Sequence, residues 1–218
     1  MDRRRVSAPV SAPVAMLRKR RLLAAALAAA PAWWLAGRAE ATALRATPAQ
    51  TEGPFYPLAD PADVDADLLR NGALAYRQGQ AAWLVGSVSD LGGRPLAGAT
   101  VEIWQCDHAG RYHHPREREA ADPRFQGFGR ATVAADGGYR FRTLRPAAYS
   151  GRTPHIHVKV KHGGRELLTT QLYVAGDPGN ARDFLWTRLS RDDRAALTVD
   201  FVAAADGLLA RFPIVVAV

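Results

Sequence analysis

Two histidines, His155 and His157, are separated by one residue at the start of an alternating apolar run, RTPHIHVKV over residues 152–160. If this run is a β-strand, both imidazoles project from the same face, roughly 6.5–7 Å apart along the backbone. Side chains at that spacing can reach one metal ion, and neutral imidazole is a common metal ligand. The pattern alone is equally compatible with surface or hydrogen-bonded histidines.

Two tyrosines narrow the chemistry, because each lies in a polar loop rich in glycine, proline and arginine: Tyr112 in GRY and Tyr149 in AYS. A phenol has a pKa of about 10, and a hard trivalent cation holds it as phenolate. Two phenols with two imidazoles therefore indicate iron(III). Zinc more often takes a third histidine, a cysteine or a carboxylate, which Glu117 or Glu119 would supply, so zinc remains an alternative.

These residues must be positioned by β-structure, because short apolar runs broken by turn residues continue from Leu44 onward without a sustained helical period. We predict an all-β fold, a β-sandwich of about seven or more mainly antiparallel strands with long active-site loops. The loops are residues 107–130, 145–154 and 177–195, with Asp183 or Ser190 as helix caps. Three strand pairs are predicted, 81–90 with 98–106, 155–162 with 166–176, and 196–204 with 208–218, besides a strand at 138–144.

The positive charge of the chain is concentrated at its N-terminus. Residues 1–43 hold eight of the 29 basic residues and two of the 21 acidic ones, so little of the net charge of +8 lies elsewhere. This distribution argues against a nucleic-acid partner. Cys106, the only cysteine, permits no intrachain disulfide, and the apolar VEIWQ before it predicts a buried structural thiol.

Residues 1–43 also have the pattern of an export signal. A cationic patch precedes an apolar run from Leu22 to about Leu35, and small residues follow. Arg20 and Arg21 fit the twin-arginine route, and an uncleaved anchor is the alternative. We expect an exported protein, periplasmic or secreted, without stable membrane association once the signal is removed.

Five segments, in this order along the chain, resemble the intradiol ring-cleavage dioxygenases, the family of protocatechuate and catechol dioxygenases. They are GRPLAGATVEIWQCDHAGRY, DPRFQGFGR, DGGYRFRTLRPAAY, RTPHIHVKV and TTQLYVAGDP. TPAQTEGPFYP, residues 47–57, resembles the segment that lines the active site in that family. The resemblance implies that residues 44–218 form an intradiol dioxygenase β-sandwich domain.

The resemblance implies a mononuclear non-haem Fe(III) held by Tyr112, Tyr149, His155 and His157. It also implies that Tyr149 is catalytic, leaving the metal as a catechol chelates and taking up a substrate proton. Arg152 is implied as the catalytic cation that stabilises negative charge on the ring. The implied reaction cleaves a catecholic aromatic with dioxygen to a muconate-type diacid, so the partners are a small aromatic diol and O2. The implied substrate-binding residues are Thr51, Gly53, Pro54, Phe55 and Gln171.

The sequence departs from the family in one loop. Only Ser150-Gly151 separates Tyr149 from Arg152, fewer residues than in the protocatechuate and catechol enzymes, which predicts a more open pocket. The substrate stays open between catechol, a protocatechuate-like acid and a bulkier diol. No helical dimerisation domain precedes the sandwich, so a dimer of the catechol-dioxygenase type is not expected, although another homo-oligomer is compatible.

Two other functions compete with the dioxygenase. A metal-free β-sandwich binding module shares the architecture without the chemistry, and a fold by itself does not exclude it. A zinc hydrolase built on the His-x-His pair would need no dioxygen.

Overall fold

The computed structural model describes residues 44–218, and twelve strands and one α-helix lie in this range. The strands form two five-stranded sheets and one small hairpin, so the predicted all-β class is confirmed. In chain order the elements are β1 (Arg70–Asn71), β2 (Leu74–Ala75), β3 (Ala81–Asp90), β4 (Thr100–Trp104), β5 (Phe128–Thr132), β6 (Gly138–Leu144), β7 (His155–His162), β8 (Arg165–Val174), α1 (Arg191–Leu197), β9 (Thr198–Val199), β10 (Val202–Ala204), β11 (Gly207–Arg211) and β12 (Ile214–Val216). Short 3-10 helices occupy Asn180–Arg182 and Trp186–Arg188.

The two large sheets pack on one apolar core. One sheet runs β10-β11-β3-β12 with β6 also paired to β3, and the other runs β5-β4-β7-β8-β9. Leu84 and Phe141 from the first sheet and Ile103, Ile156 and Leu172 from the second are fully buried in this core. Strand β7 lies at the centre of its sheet, between β4 and β8, and this position fixes its backbone on both sides.

The predicted pairing of 81–90 with 98–106 is wrong. Strand β3 pairs antiparallel with β6 and parallel with β11 and β12, whereas β4 pairs with β5 and β7 in the other sheet. The intervening Gly/Pro-rich connection is longer than the two-residue loop of a tight hairpin, and it carries the chain from one sheet to the other.

Two other boundaries differ from the prediction. Strand β5 begins at Phe128, inside the predicted loop 107–130, because β4 supplies it with a complete antiparallel ladder. Helix α1 occupies the start of the predicted strand 196–204, and the Ser190 hydroxyl accepts a hydrogen bond from the Asp193 N–H, which confirms Ser190 as a cap.

Of the other two predicted strand pairs, 155–162 with 166–176 is confirmed and 196–204 with 208–218 only in part, because β9 pairs with β8 and β12 pairs with β3. Strands β7 and β8 form an antiparallel pair, and so do β10 and β11. Within residues 44–218 no helix is long and apolar enough to cross a membrane. The predicted export signal, residues 1–43, lies outside the described residues.

Candidate metal centre

The two histidines of the H-x-H pattern converge on one point. They occupy alternate positions of β7, where His155 lies opposite Tyr173 of β8 and His157 lies opposite Trp104 of β4. Each is 1% exposed, and their Nε2 atoms lie 3.3 Å apart. Because a metal–imidazole bond is about 2.0–2.1 Å long, two nitrogens this close lie within bonding range of one ion.

A backbone carbonyl sets the tautomer of His155. The Nδ1–H of His155 donates to the Thr153 carbonyl over 2.6 Å, because a carbonyl can only accept. The lone pair of His155 is therefore on Nε2, the atom that faces His157. Metal-bound histidines commonly make the same outer hydrogen bond, which fixes the ring orientation.

Burial keeps both imidazoles neutral. The pKa of His155 is lowered to about 4, first by burial and then by the positive charge of Arg152, against the opposing effect of the Thr153 carbonyl. The pKa of His157 is lowered well below its usual value by burial, by His155 and by Arg152. Both lone pairs are thus free of protons at neutral pH and available to a metal.

The lowered pKa of His155 predicts how the stability of the metal-free protein depends on pH. The unfolded His155 has a pKa of about 6.5, above its folded value, so the unfolded state takes up the proton first as the pH falls. We expect the free energy of unfolding to lose about 1.4 kcal/mol per pH unit from this one residue between pH 6.5 and about 4. Urea denaturation across this range measures the slope, and a His155→Gln variant with an unchanged slope would contradict the assignment.

The two predicted tyrosines surround the histidines. The ring centroid of Tyr112 lies 5.0 Å from that of Tyr149 and 6.2 Å from that of His157, and the Tyr149 ring lies 5.5 Å from His155. These four residues are the candidate metal centre. The predicted ligands come from two loops and one strand, and the fold brings all of them together.

The Tyr112 hydroxyl is buried and has no hydrogen-bond partner in the described part of the chain. Burial, and to a lesser degree Cys106 and Tyr149, raises the pKa of this phenol well above 10. An unpartnered buried polar group costs about 1–3 kcal/mol, which a bound cation would offset by holding the phenolate. Two neutral imidazoles with two phenols, one of them without another partner, fit the donor set for iron(III).

The carboxylates considered for zinc have other partners. Glu117 accepts the N–H groups of Tyr112 and Arg118, and Glu119 forms an ion pair with Arg111. Within residues 44–218 no group of three or more His, Cys, Asp or Glu side chains is placed to hold a metal. The side chains in ring contact with the two histidines are instead phenols and Trp104.

The segment 47–57 forms one wall of the candidate metal centre. Phe55 stacks on Tyr112 with centroids 4.5 Å apart, and its edge meets Tyr149 at 5.7 Å. The carbonyl of Thr51 accepts a hydrogen bond from the Gln171 amide over 2.9 Å, which ties this wall to β8. Pro54 is exposed between Gly53 and Phe55.

Gly53 approaches His157 so closely that a side chain would press on it. A Cβ at Gly53 would lie 3.2 Å from Cε1 of His157, at a φ of +75°. We expect Gly53→Ala to displace the imidazole and weaken iron binding by about 10–100-fold, the usual effect of disturbing the support of a ligand. The control is Gly98→Ala, where φ is +77° but nothing lies within 4 Å. Iron titrations compare the two, and equal affinities would contradict the role of Gly53.

Arg152 is held beside the phenol of Tyr149 by a tight turn. The Arg152 N–H donates to the Tyr149 carbonyl over 2.7 Å, and the two intervening residues have positive φ, 41° at Ser150 and 79° at Gly151. Glycine adopts this conformation without strain, whereas Ser150 does so at some cost. The short loop noted in the sequence is thus the element that sets the separation of these two residues.

The Arg152 guanidinium is fixed by two buried partners. Its Nε donates to Asp183 over 2.6 Å and its Nη2 to the Gln171 side-chain oxygen over 2.9 Å. Asp183 also accepts the N–H groups of Thr153 and Trp186. Burial would raise the pKa of Asp183, but the hydrogen bonds from Arg152 and the backbone outweigh it and lower that pKa. Asp183 and Gln171 therefore hold the guanidinium in one orientation.

Several residues at the site were not predicted as functional. The sequence predicts Asp183 only as a helix cap and gives Tyr173 no role, although the Tyr173 hydroxyl donates to Gln50 over 2.7 Å and lies 3.3 Å from the Gln171 side-chain oxygen. Trp104 stacks on His157 with centroids 4.7 Å apart, and the exposed Phe184 ring lies 5.2 Å from the Arg152 guanidinium. No local motif marks these residues, because their partners lie in distant parts of the chain.

Cys106 lies against the centre but does not take part in it. The side chain is 1% exposed, and its thiol donates to the Ala147 carbonyl over 3.5 Å. Burial raises its pKa to about 12, so the predicted structural thiol is confirmed.

Comparison with known proteins shows to which family this chain is related. Residues 51–217 match the sequence profile of a family described as Dioxygenase. The beta chain of protocatechuate 3,4-dioxygenase from Burkholderia cepacia is 38% identical over 143 residues, which are 60% of this chain and 60% of the relative. Catechol 1,2-dioxygenase from Acinetobacter baylyi is 33% identical over 183 residues, 74% of this chain and 55% of that enzyme.

A solved structure agrees with these matches. The dioxygenase domain of a dioxygenase carbohydrate-binding protein fusion from the cellulolytic bacterium Streptomyces sp. SirexAA-E superimposes with a TM-score of 0.64 at 32% identity, covering 80% of this chain and 99% of that domain. The chain belongs to the intradiol ring-cleavage dioxygenase family, as the resemblance predicted. It spans 60% or less of the length of the protocatechuate and catechol enzymes named above.

Proposed function

We propose that the protein is a non-haem Fe(III)-dependent enzyme that cleaves a catecholic ring between its two hydroxyl-bearing carbons with dioxygen. The product is a muconate-type diacid that contains both oxygen atoms of O2. The single observation that carries this proposal is the cluster of Tyr112, Tyr149, His155 and His157 around two facing Nε2 atoms. Family membership supports it, since the relatives are named for reactions of this class.

Iron(III), when bound, would supply a Lewis acid that takes a catechol as a dianion and activates its ring toward dioxygen. Both imidazoles would hold the ion without proton competition, because burial keeps them neutral. Tyr112 would be the buried phenolate ligand. Tyr149, which is only partly buried, would be the phenolate that accepts a proton from the substrate.

Arg152 would act on the substrate through its charge. Its guanidinium is nearly buried, with 9% of the side chain exposed, and Asp183 and Gln171 hold it in place before any substrate arrives. A preorganised cation in a dry site stabilises negative charge that develops on the ring more strongly than water would. Gly53 and Phe55 would border the ring on the opposite wall.

Oxygen uptake and product analysis test the proposal. The iron-loaded protein should consume one O2 per catechol, and under 18O2 both labels should appear in the diacid. The two rival functions give other results. A zinc hydrolase would work without dioxygen, and a metal-free binding module would bind the diol without consuming O2.

We further propose that residues 1–43 direct export and that the mature enzyme acts outside the cytoplasm. The cationic patch, the apolar run and the small residues after it support this proposal. Cell fractionation with a reporter fused after residue 43 tests it. Replacing Arg20 and Arg21 with Lys should block export if the twin-arginine route is used, and a reporter retained in the cytoplasm with the native segment would contradict export.

A further inference from the structure

A hollow of about 420 Å³ opens on the outer side of the candidate metal centre. Its walls are the turn and loop at residues 148–154 and the segment 177–182. Tyr149 of the centre and the neighbouring Arg152 both line the hollow, so the hollow adjoins the centre. A Cβ at Gly179 would lie 2.9 Å from the Thr153 hydroxyl, which shows that the two walls meet closely at that point.

The charges around this hollow do not balance. Asp177 pairs with Arg145 at 3.5 Å, and Asp183 pairs with Arg152 at 2.6 Å. Arg182 also lines the hollow, is exposed, and forms no ion pair within residues 44–218. One positive charge is therefore left without a carboxylate at the rim.

A second exposed arginine, Arg188, lies near the same aromatic ring as Arg152. Arg188 is exposed, and its guanidinium lies 6.0 Å from the centroid of the Phe184 ring. The guanidinium of Arg152 lies 5.2 Å from the same centroid. Arg188 likewise forms no ion pair within the described residues. Excess positive charge at the opening of a binding site attracts anions and raises their local concentration.

We propose that this hollow receives the anionic arm of a carboxylate-bearing catechol and that Arg182 is the partner of the carboxylate. The inference rests on the proposed function, because chelation of the diol at the centre is what would direct the rest of the molecule outward. Arginine suits this task because its planar guanidinium binds a carboxylate through two parallel hydrogen bonds. The short Ser150-Gly151 turn borders the hollow and leaves room for an arm.

Steady-state kinetics of the iron-loaded protein test this specificity. The probes are two neutral diols, catechol and 4-methylcatechol, and two acids, 3,4-dihydroxybenzoate and 3,4-dihydroxycinnamate, whose arms differ in length. We expect Arg182→Gln to raise KM about five- to tenfold for at least one acid, with kcat and both neutral diols unchanged. Arg182→Glu should raise KM further, and added salt should weaken the preference in the native protein.

The matched control is Arg165→Gln, an exposed arginine at the far end of β8. It removes the same charge away from the hollow and should leave all four KM values unchanged. If both Arg182 variants leave the acids unaffected, or change acids and neutral diols equally, this inference is overturned while the proposed function stands. If none of the four diols is cleaved, the proposed function fails and this inference fails with it.

Discussion

The His157→Ala variant is expected to lose its iron, retaining less than about a tenth of the metal of the native protein after purification. The reason is geometric: His157 supplies one of two nitrogens that lie 3.3 Å apart and face each other. Alanine leaves a single imidazole and opens a gap against Trp104, whose indole stacks on the ring that has been removed. Metal analysis of the purified variant measures the loss.

His162→Ala is the matched control, because His162 lies on the same strand but is exposed at its end. This variant should keep its iron in full. Circular dichroism should show that both variants are folded. Full iron occupancy in folded His157→Ala would remove His157 from the ligand set.

The second large effect, on turnover, is expected when Arg152 is replaced. Arg152→Met should keep its iron but lower kcat by about 10²–10³-fold, the usual effect of removing one preorganised group that stabilises developing charge. The guanidinium is nearly buried beside Tyr149 and is not one of the proposed ligands. Iron content and steady-state kcat, measured on the same preparation, separate metal loss from loss of catalysis.

Removing Arg152 alone leaves the Asp183 carboxylate buried without its cation, and such a change typically costs about 3–5 kcal/mol of stability. The double variant Arg152→Met with Asp183→Asn removes this complication, because the neutral amide needs no counter-charge. It should regain stability over Arg152→Met without regaining activity. Native turnover in a folded, iron-loaded double variant would exclude Arg152 from the chemistry.

The sequence predicts the part of the site that lies on a strand, where successive side chains point to opposite faces of the sheet. Alternation along a strand is a local property, so His155 and His157 were correctly placed on one face. The fold class followed from the same periodicity. The proposed roles of Tyr112 and Tyr149 rest on the family resemblance, because loop residues have no periodicity that says where they meet.

Long-range partners could not be predicted in this way. Asp183 and Arg152 are 31 residues apart in sequence, and the loop that carries Asp183 is anchored by backbone hydrogen bonds that no local pattern reveals. Strands β3 and β4 looked like a hairpin because they are neighbours in sequence. The sheets to which they belong are set by β6, β7 and β11, which follow much later in the chain.

The most direct test of the central claim is the visible spectrum of the iron-loaded protein before and after catechol is added without oxygen. Phenolate ligands from Tyr112 and Tyr149 predict a charge-transfer band to Fe(III) that shifts when catechol chelates the metal. A protein that stays colourless after reconstitution, with iron verified absent, would contradict the account and leave His155 and His157 to another metal or to none.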